Sequence, residues 1–350
     1  MRRLRILIWP VHGSYLNALA RLEHEWYLPV KPGRPGRYAG RGPTFDLPPN
    51  VQEVPAAEVR HLPLDLVIYQ TPEDFFEERY AILSHDQQDL PRIYLEHNAP
   101  RLHVCDTRHS VDDPTTLLVH VTHYNRLMWD AGRTPTQVIE HSVAIDPSIR
   151  YRGELARGIS LVNDMKRRGR LAGCDLFLWA RERLPLDLAG MESELLGGLG
   201  DLPYRSLHRH VAAYRFLFSP MRYSSLPLAV VEAMTIGMPV VALATTELPS
   251  LVRNGVHGYL SCDPAELLDG MRRLLADARH ARELGENARR LALQRFSLAR
   301  FRRDWEAAFG RAIALASGTA STADAQRPGD ESKQAPDGGE RSAGRREARL

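Results

Sequence analysis

The chain has 350 residues, of which 43% are hydrophobic and 25% charged, an ordinary globular composition that suffices for two domains with separate cores. A formal net charge of only +3 gives no strong case for a nucleic-acid partner. Cys105, Cys174 and Cys262 match no zinc or redox spacing and fit a reducing compartment. No apolar stretch approaches the roughly 18 to 20 residues that cross a bilayer. We therefore expect a soluble cytoplasmic protein, with peripheral contact at the inner membrane face left open.

The first part of the chain predicts a parallel α/β arrangement. Residues 5–9 form the first predicted strand, which breaks at Pro10 to Tyr15 before a helix through Leu22. Further strands are predicted at 66–70, 92–96, 117–122 and 136–143, with helical patterns between them. Strands that alternate with helices indicate a parallel sheet with right-handed connections.

A second series of the same kind follows. Strands are predicted at 159–163, 176–179, 215–219 and 240–244, and helices at 264–276, 281–294 and from 296 onward. Two such series of similar size predict two Rossmann-like domains with a cleft between them. From about residue 317 the composition turns to small and charged residues, which predicts a disordered tail.

One carboxylate stands in an apolar segment, because Glu232 is the only charged residue from Tyr223 to Thr246. Ser224 or Ser225 could cap a helix there, with Pro227 in its first turn and Gly237 as a left-handed stop. An ionised carboxylate on such a helix costs several kcal/mol unless donors satisfy it. Hydroxyl groups of a ligand are one source of donors, and a core glutamate bonded to backbone or to a basic neighbour is the alternative.

This segment resembles the donor-site signature of the family-4 retaining glycosyltransferases of GT-B fold, in the group-1 glycosyl transferases. That signature places two glutamates, separated by seven residues, before a Gly-x-Pro-Val-Val run. Glu232 matches the second glutamate, which in the family binds the ribose of the nucleotide, whereas Ser224 stands at the first position and departs from the pattern. The resemblance implies an N-terminal acceptor-side domain over 1–142, a donor-side domain over 143–295, a helix over 296–316 that crosses back to the first domain, and the tail at 317–350.

Site residues on the N-terminal side follow predicted strands. A helix start after a glycine turn favours anions, so Gly13 and Ser14 are predicted to contact the donor, although an ordinary tight turn is the alternative. By resemblance, His97 orients the donor sugar, with a loop-capping role as its alternative. His12, Asn98 and His123 are assigned to the acceptor side.

On the C-terminal side, the resemblance implies that Arg168 stabilises the leaving diphosphate, with a solvated helix start as the alternative. Asn163 and Asp164 replace the Gly-Arg pair usual in the family, and threonines replace its Gly-Gly turn. Structural capping is the alternative role for the threonines. The predicted catalytic set is His97, Glu232 and Arg168, and the donor-binding set is Gly13, Ser14, Asn163, Arg167, Arg170, Tyr204, Ser224, Ser225, Leu226, Pro227, Leu228, Thr245, Thr246 and Glu247.

These observations predict a hexosyltransferase-type glycosyltransferase that moves a sugar from a nucleotide-sugar to a glycan or lipid-linked acceptor. No cofactor is predicted, and the absence of an Asp-x-Asp motif predicts metal independence. Polysaccharide biosynthesis is the context that the resemblance implies. Two alternatives stay open: a catalytically silent GT-B-like protein that binds a nucleotide or glycan, and a sugar-nucleotide epimerase.

Overall fold

The structure is a computed structural model that describes residues 2–318, and residues 319–350 of the predicted tail lie outside the described residues. Two parallel sheets, each flanked by helices, organise the chain. In chain order the strands are β1 Arg5–Ile8, β2 Glu25–Val30, β3 Val51–Pro55, β4 Leu66–Tyr69, β5 Arg92–Glu96, β6 Thr107–Arg108, β7 Thr116–His120, β8 Trp129–Asp130, β9 Thr136–Val138, β10 Leu155–Leu161, β11 Leu186–Ala189, β12 Tyr214–Ser219, β13 Val240–Leu243 and β14 Gly258–Ser261.

Eleven α-helices lie within the described residues. They are α1 Gly13–Leu19, α2 Arg79–Ile82, α3 His123–Met128, α4 Met165–Arg168, α5 Cys174–Arg181, α6 Tyr204–Val211, α7 Leu228–Ile236, α8 Leu248–Leu251, α9 Pro264–Ala276, α10 Ala278–Arg295 and α11 Leu298–Ala316. No helix within residues 2–318 has both the length and the apolar character that crossing a bilayer requires.

The first sheet has the order β3-β2-β1-β4-β5-β7-β9 and the second β11-β10-β12-β13-β14, and every pairing in both is parallel. β6 and β8 form a small separate ribbon. Strands β4, β7, β12 and β13 are buried along their whole length, on both faces, which accounts for their apolar character. β1 is the third of seven strands in the first sheet, and β12 is the third of five in the second. The turns that follow them therefore lie near the middle of the carboxyl edge of each sheet.

Helix α11 packs on the first sheet although it follows the second sheet in sequence. Its buried side chains Phe301, Trp305 and Phe309 share one apolar cluster with Ile6 and Ile8 of β1. The burial of one face of α11 agrees with its amphipathic pattern. The domain limits at residues 142, 295 and 316 stay predictions.

Two parts of the secondary structure differ from the sequence prediction. Residues 176–179, predicted as a strand, lie inside helix α5, and the strand of that region is β11 ten residues later. Short apolar runs do not distinguish a strand from a buried helix, and Leu176, Phe177 and Ala180 bury one helical face. Strands β2 and β3 were missed as well, since Pro29 interrupts the pattern of β2 and exposed residues interrupt that of β3.

Smaller differences concern the ends of elements. Helix α1 ends at Leu19 rather than Leu22. Helix α7 begins at Leu228 with Pro227 as its N-cap, and neither Ser224 nor Ser225 caps it. Gly237 does end the helix in the left-handed conformation, with φ of 93°.

Candidate active site

A cavity of about 460 Å³ opens where the carboxyl ends of β1 and β5 face those of β10 and β11. The first sheet contributes the turn before α1 and the loop after β5, and the second contributes the loop after β10 and the first turn of α7. Ligands of open parallel sheets bind at this end of the strands. Polar contacts cross the cavity: the Tyr223 hydroxyl donates to the Pro100 carbonyl at 2.6 Å, and the Ser225 hydroxyl donates to the His97 carbonyl.

The carboxylate of Glu232 forms one end of this cavity. The side chain is buried, with the residue 6% exposed. Its Oε1 accepts from the Ser14 hydroxyl at 3.2 Å and from the Tyr204 hydroxyl at 3.3 Å. His208 Nε2 lies 3.5 Å from Oε2. Hydroxyl groups thus already satisfy the carboxylate, and the same oxygen positions suit the hydroxyls of a ligand.

Apolar packing places Glu232 at this position. Helix α7 is buried on nearly all sides, so its orientation is set by Val230, Val231 and Met234 in the core of the second sheet. Glu232 is the one member of the helix that reaches the cavity wall with a charge. Next to it, the rings of Phe45 and Tyr204 are in contact, with centroids 4.5 Å apart and an interplanar angle of 57°, and they add an aromatic surface.

Arg168 supplies a cation on the opposite wall. It ends α4, lines the cavity and forms no ion pair within the described residues; its Nη1 donates only a long bond of 3.4 Å to the Asn163 carbonyl. Burial and the nearby positive charge of Arg101 lower the pKa of Arg168, and Asp164 opposes this effect. Without a carboxylate partner within the described residues, the guanidinium of Arg168 is available to an anionic group.

Backbone groups complete this anionic region. Leu228 and Ala229 form the first turn of α7, where amides lack intrahelical acceptors, and both residues line the cavity. Gly190 faces them; a Cβ there would lie 2.7 Å from Asn163 Oδ1 and from the Val162 carbonyl, so the chain passes too closely for a side chain. Asn163 holds this loop by accepting from the Met191 amide at 2.9 Å.

Three histidines, His12, His97 and His141, line the cavity together. The rings of His12 and His97 lie 4.1 Å apart, and Tyr15 packs edge-on against both His97 and His141. His97 Nε2 lies 2.7 Å from Gln70 Oε1, and the Gln70 amide nitrogen donates to the Trp9 carbonyl. We therefore infer that Nε2 of His97 carries the proton and that Nδ1 is an acceptor. Burial, with the neighbouring histidines, holds the pKa of His97 well below its usual range.

Stability is expected to fall below about pH 6.5 because two buried histidines stay neutral in the folded protein. Burial lowers the pKa of both His120 and His141 to about 3. Below pH 6.5 the unfolded chain takes up a proton at each histidine, whereas the folded protein does not. The contribution of the two neutral histidines to the free energy of unfolding is therefore complete above pH 6.5 and is lost as the pH falls. At about 1.4 kcal/mol per pH unit and group, each costs about 2 kcal/mol between pH 6.5 and 5.

Urea unfolding at pH 7.5 and 5.0 checks this expectation. The His120→Phe variant should lose less stability between the two values than the unmodified protein, by about 2 kcal/mol. An identical loss in both proteins would contradict it.

The structure brings most of the predicted site residues together. The predicted residues that line the cavity are His12, Ser14, His97, Asn98, Asn163, Arg168, Tyr204, Ser224, Ser225, Leu226, Pro227, Leu228 and Glu232. Gly13 begins α1 beside them, and a Cβ at Gly13 would lie 2.4 Å from the Phe45 ring. Within the described residues, no group of three or more histidine, cysteine or acidic side chains has an arrangement that could hold a metal ion.

Besides Gly13, six predicted site residues lie outside the cavity lining. Arg167 pairs with Asp164, and Arg170 pairs with Asp175 at 2.6 Å; both arginines are exposed. Thr245 and Thr246 donate long bonds of 3.4 Å to the carbonyls of Met221 and Ser225, respectively. The remaining two are His123 and Glu247.

Glu247 and the residue after His123 form a contact between the two sheet regions. His123 begins α3, and the next residue, Tyr124, donates its amide proton to Glu247 Oε2 at 2.8 Å. Glu247 Oε1 also accepts from the Ser250 hydroxyl at 2.9 Å. Glu247 therefore accepts a hydrogen bond from a free amide at the start of helix α3, which is a structural contact. Its predicted contact with the donor stays a prediction.

Sequence reasoning missed four features of the site: Tyr15, Phe45, Arg101 and His141. Tyr15 directly follows the predicted site residue Ser14 on α1, and this proximity in sequence could have identified it. Phe45, Arg101 and His141 lie in loops. Phe45 and His141 line the cavity and Arg101 acts on the charge of Arg168, and these positions depend on tertiary packing alone.

The chain has two parallel sheets flanked by helices, a polar cavity at the carboxyl ends of their strands, and helix α11 packed on the first sheet. This arrangement is the GT-B fold. Residues 179–277 match the model of the family Glycosyl transferases group 1. The predicted resemblance is thereby confirmed in its broad form, as are the α/β GT-B fold and the class of hexosyltransferase-type glycosyltransferases, EC 2.4.

Solved structures agree with the fold. Sucrose-phosphate synthase from Thermosynechococcus elongatus aligns with a TM-score of 0.64 and 17% identity, over 89% of this chain and 100% of that chain. Anabaena HepE in complex with UDP aligns with a TM-score of 0.63 and 16% identity, over 88% of this chain and 100% of that chain. A glycosyltransferase from Rickettsia africae aligns with a TM-score of 0.64 and 11% identity, over 89% of this chain and 99% of that chain. No curated relative matches the chain. Identities this low support the fold alone.

Proposed function

We propose that the protein transfers a sugar from a nucleotide-sugar donor to a glycan or lipid-linked acceptor, with retention of the anomeric configuration and without a metal ion. The observation that carries this proposal is the combination, in one cavity, of a buried carboxylate with hydroxyl partners and an arginine that has no carboxylate partner within the described residues. A nucleotide-sugar needs both, since its ribose presents hydroxyls and its diphosphate presents negative charge.

The donor fits the cavity in one direction. Glu232 accepts hydrogen bonds from the ribose hydroxyls in place of Ser14 and Tyr204, and the contacting rings of Phe45 and Tyr204 lie beside the base. The diphosphate lies at Arg168 and the first turn of α7, and the sugar lies toward His97.

Bond cleavage then depends on stabilising the departing diphosphate. Charge grows on the leaving oxygen in the transition state, and a fixed cation with preorganised amides lowers the energy of that charge more than the energy of the bound donor. His97, held by Gln70, keeps its Nδ1 available for a hydroxyl group. Retention is proposed on the resemblance of the Glu232 segment to family-4 enzymes.

The solved neighbours supply support for the substrate class. HepE was solved with UDP and with UDP-glucose, and Staphylococcus aureus TarM with UDP, fondaparinux and α-GlcNAc-glycerol. A glycan or glycan-like acceptor and a role in polysaccharide biosynthesis are the proposals that follow for this chain.

A thermal-shift screen tests donor binding. UDP, GDP, ADP, dTDP and their common sugar conjugates are added to the purified full-length protein, and a ligand that binds only the folded state raises the melting temperature. We expect one nucleotide class to raise it by several degrees at about 100 times its dissociation constant, where binding contributes about 2.7 kcal/mol. No shift with any nucleotide would overturn the proposal. Binding without release of the diphosphate would favour the silent nucleotide-binding protein, and conversion of the donor without an acceptor would favour the epimerase.

Turnover is expected to survive chelation. If Arg168 and the amides of α7 match the diphosphate charge, no divalent cation is needed at the leaving group. The rate of diphosphate release from the donor should change less than twofold in excess EDTA. A loss that added magnesium or manganese restores would contradict metal independence.

A further inference from the structure

His141 lines the cavity, and both nitrogens of its ring are buried without a hydrogen-bond partner within the described residues. The residue is 4% exposed. Buried polar groups in folded proteins are nearly always paired, so an unpaired group that faces a ligand cavity indicates a partner that belongs to the ligand.

The protein holds this ring firmly in place. The His141 carbonyl accepts from Arg300 Nη2 at 2.5 Å, and the hydroxyl of the following residue, Ser142, donates to the Phe296 carbonyl at 2.9 Å. The ring packs against Tyr15 with centroids 5.7 Å apart and an interplanar angle of 75°. A ring fixed by backbone bonds and by an aromatic neighbour loses little freedom when a ligand binds.

The chemistry of the ring selects the ligand group. Burial keeps the imidazole neutral, so one nitrogen donates and the other accepts. A hydroxyl both donates and accepts and can pair with either nitrogen, whereas a fully ionised phosphate only accepts. Arg168 lines the same cavity and offers a full positive charge to anions, whereas the neutral His141 ring offers a donor and an acceptor that suit a hydroxyl.

The position of His141 selects the part of the donor. Ser14 reaches Glu232, and the next residue on α1, Tyr15, contacts the rings of His97 and His141. His141 therefore contacts α1 one residue beyond the contact with Glu232, beside His97, toward which the sugar of a donor with its ribose at Glu232 is proposed to lie.

We propose that His141 binds a hydroxyl of the transferred sugar and so contributes to the choice of that sugar. This inference rests on the proposed function and adds a specificity residue that the resemblance did not supply.

The test compares sugar-bearing and sugar-free ligands on one variant. Dissociation constants for UDP and UDP-glucose, or for the matching pair of the base that the screen selects, are measured by titration calorimetry on the full chain. In His141→Phe, which keeps the ring packing and removes both nitrogens, we expect the constant for UDP-glucose to rise about tenfold and that for UDP to change less than twofold.

His120→Phe is the matched control. His120 is equally buried and also has both ring nitrogens unpaired within the described residues, but it does not line the cavity. It should leave both constants unchanged. His141→Asn and His141→Gln each place an amide near one ring nitrogen, and at least one of them should recover part of the loss.

The outcomes separate this inference from the proposed function. Equal loss for UDP and UDP-glucose, or no loss for either, in His141→Phe overturns the role of His141 while nucleotide binding stands. Absence of binding by any nucleotide or nucleotide-sugar to the unmodified protein overturns both. Should His141→Phe fail to fold, a loss confined to UDP-glucose in His141→Asn supports the inference and an unchanged constant overturns it.

Discussion

Replacing Glu232 by glutamine is expected to weaken nucleotide binding by about 100-fold. The carboxylate would accept two ribose hydroxyls, and a hydrogen bond to a charged group contributes about 1.5–3 kcal/mol against about 0.5–1.5 kcal/mol for a neutral pair. Losing roughly 1 to 1.5 kcal/mol at each of two bonds gives a factor of about 30 to 150 in the dissociation constant. Calorimetric titration of the nucleotide selected by the screen measures it directly.

The fold itself should tolerate this change. Glutamine keeps an acceptor oxygen for the Ser14 and Tyr204 hydroxyls and removes a buried charge, so the melting temperature without ligand should not fall. Asp65→Asn is the contrasting control, because Asp65 is also a shielded carboxylate but lies before β4 and pairs with Arg5 at 3.0 Å at the amino end of β1. That variant should lose stability and keep its nucleotide affinity. Glutamine at 232 with an affinity within threefold of the original would exclude Glu232 as the ribose ligand.

Much of the donor end could be predicted from sequence because its signals are local. A lone carboxylate in an apolar helix, a left-handed glycine after it and a buried strand beyond lie within some twenty residues, and each has a physical cause that acts within the segment. The same holds for the turn before α1, where Ser14 lines the cavity as predicted.

The basic run from Lys166 to Arg170 marks the limit of such reasoning. The sequence prediction chose Arg168 as the catalytic cation and placed Arg167 and Arg170 at the donor as well, but of the three only Arg168 lines the cavity. The short helix α4 lies between Asp164 and Gly169, which both have positive φ. Which arginine reaches the cavity depends on how this short helix leaves β10, a property of the tertiary fold.

His141 could not have been predicted for a related reason. It follows β9 in the connection to the second sheet, where the sequence shows no turn or strand-end motif that marks a site. Its approach to Tyr15 results from the way α11 and β9 pack on the first sheet, with Arg300 of α11 holding the His141 carbonyl. Contacts between residues this far apart in sequence produce no periodic pattern from which they could be predicted.

Replacing Arg168 by alanine is expected to slow release of the diphosphate by about 10² to 10³-fold, with a smaller effect on donor binding. A preorganised donor to the charge that develops in the transition state contributes about 2.7–4 kcal/mol to catalysis. Arg168 makes no ion pair within the described residues, so its charge is free to meet the leaving group. Release of the nucleoside diphosphate from the donor, measured at saturation, gives the rate.

The neighbouring arginines provide matched controls from the same helix end. Arg167 already pairs with Asp164 and Arg170 with Asp175, and neither lines the cavity, so alanine at either position should change the rate less than about threefold. Arg168→Lys keeps a positive charge without the paired donors of a guanidinium and should recover only part of the rate. If Arg167→Ala or Arg170→Ala slowed release more than Arg168→Ala, the leaving group would lie against the exposed face of α4, and the cavity would hold the acceptor instead.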